Sequence, residues 1–294
     1  MNLNTLILLF AVLLRIISNP IANVFQKQLT IKGFSPLFIN FFTYFILSLL
    51  CALASFQLQW THLSTSFWIY SIIVGVLGGL GNSFLVRALQ AGDLSVLGPI
   101  NSYKSIISMF IGFFLLNETP TIWGILGVGL IITGSYFVLN TTDEGFSWQL
   151  LKRKEIQYRI WAMMLTAAEA IFVKKVVLAS STTHAFFTWC WFGTFFSLIL
   201  LLWSDKKDLQ NNIKHIHLKH ISSFFFLVLS IGVMIITTNY AFQQMPVGYA
   251  LSLFQLSVIV NIFLGYKIFK EQEVYKKLIG ALIMIVGSVI IILF

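Results

Sequence analysis

Ten runs of about 20 mostly apolar residues divide this chain of 294 residues. A hydrocarbon core of about 30 Å is crossed by roughly 20 helical residues, so each run is long enough to span a bilayer. Hydrophobic residues make up 58% of the chain and charged residues only 10%, which leaves too little polar surface to face water. The predicted spans are residues 4–26, 36–57, 67–90, 94–116, 120–139, 158–179, 183–203, 221–244, 247–269 and 275–294.

These spans predict an all-α integral membrane protein, because backbone groups inside lipid must be satisfied within each segment. The alternation that is typical of lipid-facing barrel strands is absent from the runs. The first run, MNLNTLILLFAVLLRIISNP, has no basic segment before it and no clear small-residue cleavage site. We therefore interpret it as the first membrane helix rather than as a cleaved signal.

Basic residues are concentrated in one set of connections between the predicted spans. Of the 19 lysines and arginines, 14 fall in, or within three residues of, the connections between spans 1 and 2, 5 and 6, 7 and 8, or 9 and 10. Opposite loops such as THLSTS and NETPT contain none. Cytoplasmic loops of membrane proteins are enriched in lysine and arginine. We predict that the basic loops are cytoplasmic and that both termini lie outside, in a multi-pass protein of the bacterial inner (plasma) membrane.

A repeated segment relates the two halves of the chain at an offset of 153 residues. GFFLLNETPTIWGILGVGLIITGS, which begins at Gly112, aligns with GYKIFKEQEVYKKLIGALIMIVGS, which begins at Gly265. Each half holds five spans, an odd number, so the second half enters the membrane from the opposite side, as in many secondary transporters. The predicted domains are a five-helix repeat at 1–140, a cytoplasmic linker at 141–157 and an inverted five-helix repeat at 158–294.

Glycine and glutamate are prominent among the residues that the two halves share. Small residues let helices in lipid approach closely, so glycines spaced seven apart predict a packing face between the repeats. Glu118 and Glu271 stand at predicted helix starts, where a carboxylate complements the helix dipole, and we interpret both as structural. The glycines of the predicted face are Gly127, Gly134, Gly280 and Gly287.

Two segments resemble the EamA module of the drug/metabolite transporter superfamily. They are ALQAGDLSVLGPINSY followed by LLNETPTIWGILGVGLIITGSYFVLN, and, in the second half, FKEQEVYKKLIGALIMIVGS. The resemblance implies a transporter of ten helices in two repeats, with a central cavity lined mainly by helices 1, 3, 4, 6, 8 and 9. It implies no particular substrate, since the superfamily carries amino acids, drugs, nucleotide sugars, phosphorylated sugars and other metabolites. Better-known members have cytoplasmic termini, whereas the charges of this chain predict the opposite orientation.

Three charged residues fall in the middle of predicted spans: Arg15, Lys104 and Glu169. A charge at the bilayer centre costs at least about 2.5–3.5 kcal/mol, so each is a candidate for function. Polar residues at helical spacing extend these positions into stripes, on the helices that the resemblance puts around the cavity. The predicted substrate-binding residues are Arg15, Asn19, Asn23, Asn82, Asn101, Lys104, Glu169, Asn239, Tyr240, Tyr249 and Gln255.

Glu169 is the one acidic residue predicted at mid-membrane, and we also predict that it is the coupling residue, the group that responds to protons. A structural alternative stays open, in which Glu169 pairs with Lys104 or Arg15 and holds the two halves together. One acid cannot neutralise both cations, so positive charge remains to meet an anionic group of a substrate.

The chain contains no P-loop, no HExxH zinc motif and no GxSxG motif, so we predict no enzyme activity, no cofactor and no resident metal. The leading prediction is a secondary transporter of a small zwitterion such as an amino acid, with its carboxylate at Arg15 or Lys104 and its ammonium at Glu169. The alternatives are an exchanger of anionic solutes, such as phosphorylated or nucleotide-linked sugars, and a non-transporting scramblase or membrane assembly factor. The expected partners are a small-molecule substrate, the lipid bilayer, and protons or a counter-solute, with no nucleic acid.

Overall fold

The computed structural model describes residues 3–117, 119, 121–140, 147–204 and 206–293, apart from the side chains of 206–208, 288 and 291–293. Every regular element in these ranges is a helix, as predicted. The predictions for Glu118 and for residues 141–146 of the linker lie outside the described residues.

The helices follow the predicted spans closely, with two short additions. Eight spans are long and apolar enough to cross a membrane when α4 with α5, and α12 with α13, are each counted as one. α7 and α10 are short helices in the basic connections. The bounds are α1 Leu3–Ile31, α2 Pro36–Ser55, α3 Thr65–Ala91, α4 Leu94–Ile100, α5 Tyr103–Leu116, α6 Ile122–Leu139, α7 Trp148–Lys152, α8 Lys154–Ala179, α9 Thr182–Ser204, α10 Lys206–His215, α11 Leu218–Gln244, α12 Val247–Phe254, α13 Ser257–Phe269 and α14 Val274–Leu293.

Two of the predicted spans, 94–116 and 247–269, are each broken near the middle. The first breaks between α4 and α5 at Asn101 and Ser102, shortly after Pro99, whose ring removes a backbone donor from the helix and is expected to kink it. The second breaks between α12 and α13 without a proline. Ser102 Oγ in the first break donates a 3.0 Å hydrogen bond to Gln255 Oε1 in the second. The two breaks therefore meet, at positions separated by the repeat offset of 153 residues.

Helix contacts follow the same correspondence between the two halves. α4 packs on α13 and α5 packs on α12, while α1 packs on α11 and α3 packs on α8. α2 contacts α9, and α6 contacts α14 along its length. Each contact joins a helix of one half to a helix of the other, so neither half packs as a separate body.

The glycine face between α6 and α14 is confirmed by the backbone separation. A methyl group on Gly134 would lie 2.5 Å from the carbonyl oxygen of Gly280, and one on Gly280 would lie 2.5 Å from that of Gly134. A methyl group on Gly287 would meet the carbonyl oxygen of Gly127 at the same distance. Only hydrogen fits at these positions without a shift of the backbone.

Glu271 stabilises a helix start, but it is the start of α4 in the other half rather than that of its own helix. Its Oε1 accepts a hydrogen bond from the backbone of Leu94 (2.8 Å) and its Oε2 accepts one from Ser95 (3.0 Å). Asp93, the residue in the ordinary capping position, makes no such bond. The carboxylate thus satisfies two of the free N–H donors at this helix end.

Lys27 was predicted in a loop, but α1 continues to Ile31 and buries it. Its Nζ donates to the carbonyl oxygen of Gly92 (2.9 Å) and lies 3.4 Å from Glu271 Oε1. Lys174 on α8 makes the corresponding bond in the other half, to the carbonyl oxygen of Met245 (3.1 Å). Gly92 and Met245 are 153 residues apart, so both halves use a lysine to fix the same junction.

Candidate functional site

A cavity of about 90 Å³ lies at the centre of the helices, between α1, α3, α8, α11 and the two broken spans. This volume admits a few water molecules, at about 10–15 Å³ each, and is well below the roughly 300–1,000 Å³ of a typical ligand pocket. The cavity in this conformation is therefore too small for a metabolite, which would enter only after the helices separate.

The cavity brings together residues that are far apart in the sequence. Tyr240 and Tyr249 do not line it, and Gln255 is buried against Ser102 at the helix breaks. Tyr240 follows Asn239 on α11 and is turned about 100° away from it by the helix, which explains its absence. The predicted residues that line the cavity are Arg15, Asn19, Asn23, Asn82, Asn101, Lys104, Glu169 and Asn239.

Glu169 is buried in the cavity wall and is 8% exposed. Trp189 on α9 donates a 2.8 Å hydrogen bond from its ring Nε1 to Glu169 Oε1. Gly78 on α3 leaves room for the carboxylate, because a methyl group there would lie 2.6 Å from the same oxygen. Tyr44, whose ring is tilted against that of Trp189 with centroids 4.4 Å apart, also accepts a 2.7 Å hydrogen bond from Asn82 Nδ2. The carboxylate is thus bonded by a neutral donor on α9 and packed against α3.

Within the described chain, no lysine or arginine lies within ion-pair distance of Glu169. Lys104 nevertheless lies within electrostatic range of Glu169, Arg15 and Arg159. Three cations and one carboxylate therefore share this closed volume. Such an excess of positive charge inside a membrane is costly unless an anionic group enters the site.

Arg15 is only partly satisfied by the protein. Its Nε donates to Thr238 Oγ1 at 2.8 Å, and its guanidinium lies 4.8 Å from the centre of the Phe254 ring. Its Nη1 is buried without a hydrogen-bond partner, as is Oδ1 of Asn239. Leaving such a group unpaired costs about 1–3 kcal/mol, or more if it is charged. Both atoms belong to residues of the cavity wall, where a bound ligand could satisfy them.

Arg159 lines the cavity, although it counts among the cations of the basic connection between spans 5 and 6. It lies one residue inside the predicted span 158–179 and in the second turn of α8, which begins at Lys154. Arg159 is buried and donates from Nε to the carbonyl oxygen of Leu97 at 2.9 Å. The sequence does contain a signal for this position. Arg159, Ala162, Thr166 and Glu169 follow one another at steps of three, four and three residues, which places Arg159 on the helix face that carries Glu169.

A second small cavity of about 20 Å³ adjoins the first and shares Asn19, Asn23 and Asn82 with it. It extends between α1, α2 and α11 to Gln26, whose Oε1 is buried without a hydrogen-bond partner. Gln26 lies near the end of α1 that leads into a basic connection. The polar path from the cavity therefore leads toward the basic-loop side of the protein.

Three histidines cluster at the start of α11, with ring centroids 5.2–6.1 Å apart. Across the described residues, no three His, Cys, Asp or Glu side chains are arranged to hold a metal ion. The cluster comprises His215, His217 and His220.

Comparisons with known proteins agree with the fold and the repeat. A solved crystal structure superposes with a TM-score of 0.69 over 95% of both chains, at 12% sequence identity, which shows the fold alone. No curated protein matches the chain. The model of the EamA-like transporter family matches residues 6–140 and again 154–293. Because these two matches cover nearly the whole chain, this multi-pass membrane protein belongs to the EamA-like transporter family.

Proposed function

We propose that the protein is a secondary transporter of a small zwitterionic metabolite such as an amino acid, and that it works by alternating access. The observation that carries this proposal is that one small cavity contains both the buried Nη1 of Arg15, which has no hydrogen-bond partner, and the buried carboxylate of Glu169. The guanidinium suits a substrate carboxylate and Glu169 suits an ammonium group. Glu169 is also the proposed coupling group, which exchanges a proton or meets a counter-solute during the cycle.

The proposed architecture is ten membrane-spanning helices in two inverted five-helix repeats, at 1–140 and 158–294, joined by a cytoplasmic linker. The double family match and the reciprocal helix contacts support two equivalent halves. The odd number of spans in each half supports their inversion. The basic connections support cytoplasmic loops and external termini in a bacterial inner membrane.

An exchanger of anionic solutes is the second candidate, and Arg159 is the observation that favours it. The sequence predicts two cations at the cavity, Arg15 and Lys104. Arg159 adds a third cation within electrostatic range of Lys104. A phosphorylated or nucleotide-linked sugar would neutralise more of this charge than a zwitterion does. The enclosed cavity argues against a scramblase, which needs a polar groove that is open to lipid.

Counterflow in proteoliposomes tests both candidates. Vesicles loaded with neutral amino acids, or separately with phosphorylated sugars, are assayed for uptake of the same labelled solute. We expect uptake driven by amino acids, and its loss in Arg15→Gln, because the carboxylate then has no charged donor. Arg87→Gln is the matched control, since Arg87 lies over Tyr158 at 6.0 Å rather than in the cavity wall. Uptake driven by phosphorylated sugars alone would replace the first candidate with the second.

A further inference from the structure

An apolar groove of about 420 Å³ opens on the outer surface between α2 and α11. Ile46 and Leu50 form its wall on α2. Phe225, Val228 and Leu229 form its wall on α11. Leu50, Phe225 and Leu229 are each at least half exposed, so the groove is open toward the surrounding lipid.

The groove exists because the two halves differ at equivalent positions. α3 of the first half packs closely on α9 of the second half, and a methyl group on Gly75 would collide with the side chain of Phe192. The residue 153 positions after Gly75 is Val228, which lines the groove instead. Phe225 likewise stands at the position of Ile72. Larger side chains on α11 therefore hold it away from α2, while α3 and α9 stay closed.

The dimensions of the groove match one leaflet on the basic-loop side. It begins at Ile216 and Ile221, at the connection between α10 and α11, and reaches Leu50 on α2. From Phe42 to Leu50 the α2 wall rises about 12 Å at 1.5 Å per residue. Half of a hydrocarbon core of about 30 Å is similar in depth.

Three exposed lysines lie near the residues that form the end of the groove at the membrane surface. Lys214 and Lys219 are exposed on either side of Ile216 in the sequence. Lys32 is also exposed, and its Nζ donates a 2.8 Å hydrogen bond to Ser223 Oγ, two residues after Ile221. Basic residues next to a membrane surface attract anionic lipids.

We propose that this groove is a binding site for an anionic phospholipid. One acyl chain lies between α2 and α11 against Ile46, Phe225 and Leu229. The headgroup phosphate lies at the level of Lys214 and Lys219. The apolar walls favour any chain of suitable length, whereas the lysines select a headgroup with net negative charge.

Native mass spectrometry of the purified full chain tests this proposal with two lipids that share the same acyl chains, phosphatidylglycerol and phosphatidylcholine. We expect tighter binding of phosphatidylglycerol. Lys214→Gln and Lys219→Gln should each weaken it about five-fold, from roughly 1 kcal/mol per lysine near the surface. Lys154→Gln, an exposed lysine at the start of α8, is the matched control and should change nothing.

The groove itself is tested with Leu229→Trp, which fills the space and should lower the occupancy of both lipids. Leu282→Trp is the matched control, because Leu282 is 57% exposed on α14, away from the groove. Equal binding of the two lipids by the wild-type protein would contradict the proposed selection of an anionic headgroup. Unchanged binding of both lipids by a folded Leu229→Trp protein would contradict the groove as the binding site of the acyl chain. Neither result bears on the transported solute, so the proposed function is tested separately.

Discussion

The carboxylate of Glu169 depends on residues from several helices that are distant in the sequence. Gly78 leaves space for it, Trp189 donates a hydrogen bond to it, and Lys104 lies within electrostatic range. None of these partners forms an ion pair with Glu169 at contact distance. The pairing of Glu169 with Lys104 or Arg15, which the sequence left open, is therefore not present in this closed conformation.

We expect Glu169→Gln to leave the fold intact, because glutamine keeps the shape and can still accept the Trp189 hydrogen bond. It removes the titrating group, so transport should be lost or become independent of pH. Uptake in proteoliposomes between pH 5 and pH 8 measures this. A folded variant with the wild-type rate and pH profile would contradict a coupling role. Rescue of a misfolded variant by Lys104→Met would instead support the structural pair.

Gly78→Ala should displace the carboxylate, because the new methyl group would lie 2.6 Å from Glu169 Oε1. A shift of about 1 Å in a binding group can cost up to a hundred-fold in rate, so we expect transport to fall at least about ten-fold. Gly129→Ala is the matched control, since nothing lies within 4 Å of its added methyl group. Wild-type uptake by Gly78→Ala would show that the position of the carboxylate does not matter.

At the scale of elements, two of the contacts that join the halves are the glycine face of α6 and α14 and the cap that Glu271 places on α4. Both depend on close approach between residues far apart in the sequence, 146 positions for Gly134 and Gly280 and 177 for Leu94 and Glu271. Helices in lipid gain little from the hydrophobic effect when they associate, so packing and satisfied polar groups decide these contacts.

Gly134→Leu and Gly280→Leu should each force α6 and α14 apart. Overpacking of this kind costs about 1–3 kcal/mol or more, so the unfolding temperature in detergent and the folded yield should both fall. Gly129→Leu on the same helix α6 is the control, because Gly129 faces open space. Equal stability of all three variants would argue against the glycine face as a contact.

Glu271→Ala should destabilise the protein by about 3–5 kcal/mol, because it removes the nearest charge partner of buried Lys27 and leaves the first N–H groups of α4 without their acceptor. Thermal unfolding monitored by circular dichroism gives the measurement. Lys276→Gln serves for comparison, since it removes only an exposed ion pair with Glu273 (2.9 Å) and should cost at most about 1 kcal/mol. Similar losses in both variants would show that the buried cap contributes no special stability.

At the scale of the whole molecule, we predict the orientation in the membrane from charge rather than from packing. Lys27 and Arg159 lie in helices and no longer count as loop cations, but the other basic residues still fall in the same connections. The short helices α7 and α10 both belong to these basic connections.

The predicted orientation places both termini outside and Arg153 inside. In a background with Cys51 and Cys190 replaced by alanine, an impermeant maleimide applied to intact cells should label a cysteine added after Phe294. It should spare Arg153→Cys until the membrane is permeabilised. The reverse pattern would invert the proposed topology but leave the repeat intact.

The sequence by itself determined where the helices lie, which of them share a glycine face and which charges stand in mid-membrane. These properties are local, because hydrophobic length and helical spacing can be read within one segment. Most of the predicted polar residues reached the cavity for the same reason, since a stripe on a helix stays a stripe in any packing.

Only the tertiary structure decided which side chains meet. No proline inside α12 indicates the break at Gln255, and Ser102, which donates a hydrogen bond to Gln255, lies in the other half. Arg159 lines the cavity and Glu271 caps a distant helix. Val228 lines an open groove, whereas Gly75 at the equivalent position allows close helix packing. Each outcome depends on the approach of helices more than 50 residues apart. Helical periodicity sets the direction of a side chain on its own helix but not the neighbour that it faces.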